Sequence, residues 1–239
     1  MLLEILYRDE YLVAINKPSG LLVHRSPIDR HETEFAVQIL RDQIGQFVYP
    51  VHRLDKPTSG VLLFALDKES AKLMGKQFMS RETKKSYIAV VRGYVDESGV
   101  IEHALSVKLD KIADKDSSED KEAQDATTYY KRLATVEVPY SVGKYDKSRY
   151  SLVQLEPQTG RKHQLRRHMK HISHHILGDT KYGRGEHNKL IRSEFNCHRM
   201  LLHAITLQIK HPHTDEMLII KAPLDESFNS ICKFFNWHL

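Results

Sequence analysis

The chain has 239 residues, with 36 lysines and arginines against 31 acids, a formal net charge of +5 at pH 7. That length allows one large domain or two small ones, and is enough to bury a sizeable core. Its two cysteines, Cys197 and Cys232, make neither a disulfide framework nor a metal spacing, and no segment approaches the ~20 apolar residues that span a bilayer.

The N-terminus carries Glu4 and no long apolar core, unlike a signal peptide. The expectation is a cytoplasmic protein in a reducing compartment. Residues 4–7 and 11–16 read as short strands joined through Arg8-Asp9-Glu10. Lys17-Pro18-Ser19-Gly20 is a turn, and residues 21–24 resume an extended path. Residues 34–44 read as an amphipathic helix, with Phe35, Val37, Ile39, Leu40 and Ile44 mostly on one side and Gly45 as its stop. Then comes His52-Arg53-Leu54-Asp55-Lys56-Pro57-Thr58-Ser59-Gly60, rich in turn residues, and directly after it the bounded apolar run 61–66, a buried strand. An aspartate in such a turn either caps it with a side-chain oxygen or serves as a positioned nucleophile or base on a braced loop. The residues by themselves leave both open.

Residues 68–79 read as a second helix that buries Ala71, Leu73, Met74 and Phe78, and 86–95 as a strand rich in Val, Ile and Tyr. Residues 108–125 hold seven acids against four lysines. Such a segment has little to bury and reads as a solvated loop insertion. The basic charge therefore gathers elsewhere, above all in 161–171. Residues 127–137 and 150–155 read as strands, 160–172 as a helix through Leu165, Met169 and Ile172, 201–210 with 217–221 as a hairpin, and 224–237 as a closing helix. No repeat or linker forces a boundary, so the expectation is a single domain over 1–239. Strands joined by short turns outnumber helices, which favours an α+β domain with a mainly antiparallel sheet.

His52, Arg53, Leu54, Asp55, Thr58, Ser59 and Gly60 resemble the signature of the RluA-like family of pseudouridine synthases. Asn16-Lys17-Pro18-Ser19-Gly20 resembles the segment near the start of that family's catalytic domain, leaving no room for the small RNA-binding module that precedes it in some relatives. Residues 159–166, Thr-Gly-Arg-Lys-His-Gln-Leu-Arg, resemble the family's basic motif. Lys85-Ser86-Tyr87 resembles its Lys-x-Tyr strand, and residues 200–204 a late apolar motif. The likeness runs from about residue 5 to residue 223.

The resemblance implies a mainly antiparallel sheet bent about a central catalytic cleft. It also implies isomerisation of a uridine in structured RNA, with no metal or organic cofactor. Pseudouridine formation breaks the C1′–N1 bond of uridine, turns the base and rejoins it through C5. A carboxylate can divide that task by forming a covalent intermediate, and a neighbouring cation favours its charged form. In the family's pattern Asp55 is the nucleophile and Arg166 its partner. Tyr87 stacks on the base and is implicated in the later proton step at C5. Arg53 fills the gap left by the flipped base, and Leu202 walls the pocket, with Leu201 as an adjacent alternative. His52, Lys85, Arg161, Lys162, His163 and Arg167 suit RNA contacts. Finer features, among them residues 108–115 and 161–168, resemble members acting on uridine 65 in the TψC stem of tRNA; ribosomal RNA is the competing substrate. The expected protein is a monomer that binds no membrane.

Two other readings are weaker. A non-catalytic RNA-binding module would keep the basic segment without needing Asp55, Tyr87 and Arg166 together. A metal-dependent hydrolase would draw on the 15 histidines, notably His168, His171, His174 and His175 with Asp179, but their spacing matches no known ligand set. Cys197 beside His198 is poorer still as a catalytic pair.

Overall fold

The computed structural model describes residues 1–25, 32–106 and 122–238. Most of the charged stretch 108–125 lies outside them; its end returns to the fold through Gln124, which bridges Leu105. In chain order the elements are β1 (Glu4–Arg8), β2 (Leu12–Lys17), α1 (Ala36–Ile44), β3 (Tyr49–Pro50), β4 (Ser59–Ala65), α2 (Lys68–Ser80), β5 (Lys84–Arg92), β6 (Ser98–Glu102), β7 (Thr127–Val138), β8 (Ser148–Pro157), α3 (Gln164–His171), α4 (Gly185–Phe195), β9 (Leu202–Lys210), β10 (Met217–Lys221) and α5 (Glu226–Phe234).

The strands form one sheet in the order β1-β2-β4-β9-β5-β8-β7-β6, with β10 on β9 and β3 on β4. All pairs are antiparallel except β4 with β9. The apolar run after the Asp55 turn becomes β4, in which every residue is buried. A strand covered on both faces reads as a continuous apolar run for that reason. One face of β2 and β4 packs Ile15, Leu62 and Phe64 against Ala36 and Leu40 of α1. The other packs Ala14, Val61 and Leu63 against Met74 of α2 and Ile220 of β10. In the second half of the sheet, Val90, Tyr150 and Leu152 face α4 and α5, while Ala89, Val91 and Val153 face Leu165 and Met169 of α3. The second half thus has cores of its own on both faces, while the core under α2 runs across to β9 and β10 through Leu207, Ile209 and Ile220.

The two halves meet at a narrow seam. β4 and β9 pair in parallel through only Ser59 with His203 and Gly60 with Ala204. Gly60 has φ +109, and a Cβ there would sit 2.2 Å from the Ala204 carbonyl oxygen. No side chain fits against backbone at that distance, so the glycine is required twice over, by conformation and by space. Ser59 closes the seam from the side: its hydroxyl lies 2.8 Å from Nδ1 of His203 and accepts from Arg199 Nη2 at 2.7 Å. Gly60→Ala is therefore expected to destabilise the fold by about 2 kcal/mol or more, read as a fall in Tm. A variant with unchanged Tm would mean that the strands can part without cost.

Three elements were not foreseen from the sequence. β3 is two residues long, and β6 is a five-residue edge strand with one buried side chain. α4 escapes because part of its buried face is polar: His187 and Asn188 are buried beside Leu190 and Ile191. The His187 ring is tied to Tyr150 and Arg92, so the helix shows no simple apolar stripe. α3 starts at Gln164, four residues later than the spacing suggests, because His163 holds a left-handed backbone.

Candidate active site

The Asp55 loop is braced before it reaches the seam. Thr58 N–H donates to the Asp55 carbonyl at 3.0 Å, closing the turn. The Lys17–Gly20 turn backs it: Gly20 N–H donates to the Lys56 carbonyl at 2.9 Å, and Ser19 Oγ to the Pro57 carbonyl at 2.8 Å. Lys17 is fully buried, and its Nζ donates to the carbonyls of Pro18, Leu21 and Lys56. Burial, with Arg199 adding to it, pushes this ammonium down to about 7. The backbone of the loop is thus satisfied without the Asp55 carboxylate, which turns away to meet α3.

Asp55 Oδ2 accepts from Arg166 Nη1 at 3.0 Å. The rest of that guanidinium is held by Asp179, with Nε to Oδ2 at 2.7 Å and Nη2 to Oδ1 at 2.8 Å. Such a two-point grip fixes the plane of the group as well as its charge. Asp179 is itself set by backbone N–H groups of Lys181 and Tyr182, at 2.9 and 3.0 Å. Burial works against charge on both partners, yet each pairing outweighs it. Asp179 is held below the usual carboxylate range by Arg166, and Arg166 above its ordinary value by Asp179 first and Asp55 second. The Tyr182 ring lies under the guanidinium, 5.1 Å from centroid to Cζ.

The basic motif shapes the turn into α3. Buried Gln164 accepts from Thr159 Oγ1 and Arg161 N–H, and donates to the Thr127 carbonyl and Thr128 Oγ1. These bonds clamp the turn so that His163 adopts φ 56 and ψ 28. Its Nδ1 lies 3.0 Å from the Tyr182 hydroxyl, and its Nε2 lies 3.8 Å from Asp55 Oδ1.

Asp55, His163, Gln164 and Arg166 line one cleft of about 430 Å³, together with Arg53, Lys85, Tyr87, Arg161, Lys162 and Leu202. Tyr87 sits where the cores of the two halves meet. Burial first, then Asp55, raises its hydroxyl above the ordinary phenol value, so the resting side chain is a neutral phenol. That suits stacking; acting as a base would need a phenolate, which this environment opposes. Leu202 faces the cleft, while Leu201 belongs to the core under α5. Arg53 is exposed at the rim. Among the described residues the side chains of Arg53, Arg81 and Lys85 form no hydrogen bond or ion pair, which leaves their donors for a polyanion.

Two of the expected RNA contacts have other work. Arg167 does not line the cleft; it donates to the carbonyl and the hydroxyl of Ser106 at 3.0 and 3.2 Å. His52 lines the cleft, but its Nε2 accepts from the Leu63 N–H at 3.0 Å and its ring stacks on Phe78 at 4.9 Å. Burial pushes it down to about 3. It is a neutral brace for β4, so no cation is offered there. Asp179 was considered in the sequence only as a metal ligand; its pairing with Arg166 was missed. The available signal was Gly178-Asp179 followed by Tyr182-Gly183, a turn pattern. The histidines weighed with it go separate ways: His168 to Thr128 and the His103 carbonyl, His174 to the Arg92 carbonyl, His175 to the Tyr182 carbonyl. Among the described residues, no group of His, Cys, Asp or Glu is gathered as a metal site. Nor is any described helix long and apolar enough to cross a membrane.

The sequence model for RNA pseudouridylate synthase matches residues 11–171. A tRNA pseudouridine synthase C from Vibrio parahaemolyticus is 57% identical over 235 residues, 98% of this chain and 96% of that protein. Its namesake from Haemophilus influenzae is 55% identical over 236 residues, 99% of each. Among solved structures, human RNA pseudouridylate synthase domain containing 4 aligns with a TM-score of 0.71 at 27% identity, covering 99% of this chain and 94% of that one. Human RNA pseudouridylate synthase domain containing 1 aligns at 0.70 and 27%, covering 93% and 83%.

Proposed function

The chain belongs to the RNA pseudouridylate synthase family, and from that premise we propose that it converts uridine 65 in the TψC stem of tRNA to pseudouridine. The observation that carries the reaction is the Asp55 carboxylate 3.0 Å from Arg166 in a cleft lined also by Arg53, Arg81 and Lys85. The tRNA assignment rests on full-length likeness to enzymes named for that substrate.

The chemistry follows from the residues. Asp55 attacks the nucleoside, and the C1′–N1 bond breaks as the covalent link forms. Arg166, clamped by Asp179, supplies positive charge to the carboxylate as it enters and leaves the adduct. The freed base stays against Tyr87, with Leu202 on another side, while it turns to present C5. Closing the C1′–C5 bond releases Asp55; the proton on C5 departs and N1 gains one, so the product is an isomer and no redox partner is needed. A stem uridine must first leave its stack, at a cost of a few kcal/mol, and Arg53 at the rim is placed to fill the gap. A-form RNA offers phosphates and 2′-hydroxyls rather than readable major-groove edges, which suits recognition by Arg81, Lys85, Arg161 and Lys162 around the cleft. The protein acts as a single catalytic domain and a monomer.

Treating unmodified tRNA and ribosomal RNA transcripts with purified protein, then mapping pseudouridine at nucleotide resolution, tests this reading. Modification at tRNA position 65 is expected. Modification confined to ribosomal RNA would keep the reaction and overturn the substrate; none in either would overturn both.

A further inference from the structure

We propose that His163 is a positioning residue for the second oxygen of Asp55, and not a contact to the RNA backbone. The inference rests on the reading of Asp55 as the nucleophile. Arg166 holds Oδ2 of that carboxylate, and His163 Nε2 stands 3.8 Å from Oδ1. A shift of less than about 1 Å brings that pair to hydrogen-bond length. The carboxylate is then held at both oxygens and cannot swing out of its line of attack.

The imidazole is itself held. Its Nδ1 lies 3.0 Å from the Tyr182 hydroxyl. Tyr182 belongs to the turn whose backbone N–H groups grip Asp179, so one turn sets both neighbours of Asp55. The His163 side chain is only 16% exposed, and its left-handed backbone is imposed by the Gln164 clamp. A phosphate ligand on a solvent-facing turn needs none of this. With the tyrosine hydroxyl donating to Nδ1, the imidazole proton sits on Nε2 and faces Oδ1.

Charge decides when the arrangement works. Arg166, Lys162, Lys181 and Asp55 face this ring from α3, its preceding turn, the Asp179 turn and the nucleophile loop. Burial acts first, and the three cations join it in disfavouring protonation; Asp55 opposes them, and the net shift is downward. The neutral imidazole is thus the working form. Protonated, it would add a second cation to a carboxylate that Arg166 already pairs, and so lower its nucleophilicity further. Turnover is therefore full above the His163 titration and falls as pH drops through it, on the acid side of the ordinary imidazole value.

The test uses the full-length protein and a tRNA transcript, with single-turnover rates at saturating enzyme across mildly acid to neutral pH and RNA affinity measured in parallel. His163→Ala is expected to lower the saturating rate by roughly 10- to 100-fold and to leave affinity in its original order of magnitude. His163→Gln keeps an N–H near the Nε2 position without titrating. It should recover most of the rate and lose the acid limb. Both variants bear the same left-handed backbone cost, so their difference reports the side chain. Weaker binding with an intact rate would return His163 to the RNA backbone. Equal loss in both variants, with the acid limb unchanged in His163→Gln, would reduce it to packing. Asp55→Asn run alongside separates the premise: activity there would overturn the nucleophile, whatever the His163 variants do.

Discussion

Asp55→Asn protein is expected to bind tRNA with unchanged order of affinity and to turn over none of it. The substitution preserves shape, and an amide oxygen still meets Arg166, but it replaces the anionic carboxylate with a neutral amide too weakly nucleophilic to form the covalent intermediate. Loss of a nucleophile that carries the reaction costs at least roughly 10⁴-fold in rate. Affinity comes chiefly from cations meeting phosphates, and Asp55 contributes nothing to that. Nor does the loop depend on the carboxylate for its conformation, because Lys17, Ser19 and Gly20 hold its backbone instead. Clean multiple turnover by this variant would remove Asp55 from the chemistry.

The second large effect is expected at Arg166. Arg166→Lys keeps a positive charge but has one nitrogen where the native group uses three, toward both Asp55 and Asp179. A point charge cannot satisfy both carboxylates in one plane. The rate at saturating RNA should fall roughly 10²- to 10³-fold, while affinity holds. Arg166→Ala goes further, since Asp179 is 2% exposed and would be left buried without its cation, a loss of about 3–5 kcal/mol. Tm measured alongside the rate keeps these effects apart. If Arg166→Lys instead loses affinity in step with Lys162→Ala and keeps its saturating rate, Arg166 is a phosphate contact.

How much of this could be read from the residues varies with how local the cause is. β4 was legible because all of its side chains are buried and a Pro and a Gly bound its entry. The Asp55 turn was legible as a turn, but whether its carboxylate served the backbone was not. That answer lies in Lys17 and Ser19, about forty residues earlier, which satisfy the loop's carbonyls. Asp179 pairs with Arg166 across a turn and thirteen residues, and nothing in its neighbours announces the partner. The left-handed backbone of His163 was invisible for another reason. No glycine marks it, because side-chain bonds from Gln164 impose it. His52 was read as an RNA contact, and the bond its ring accepts from the Leu63 N–H could not be read beside it, since a histidine's partners lie outside its own segment.

The seam between the two halves of the sheet has a consequence for how the chain acquires activity. Ser59 and His203 are 144 residues apart, so the join is among the most non-local contacts in the fold. Hairpins such as β7–β8 close over short distances and are expected to form early, whereas distant pairings wait on loop-closure entropy. Tyr87, Arg166 and Leu202 come from successive segments that the join brings around Asp55. A partly folded chain can therefore carry the basic motif, and even gather RNA upon it, without possessing anything that can isomerise a uridine. Catalytic competence is expected to wait on this join rather than on the basic motif alone.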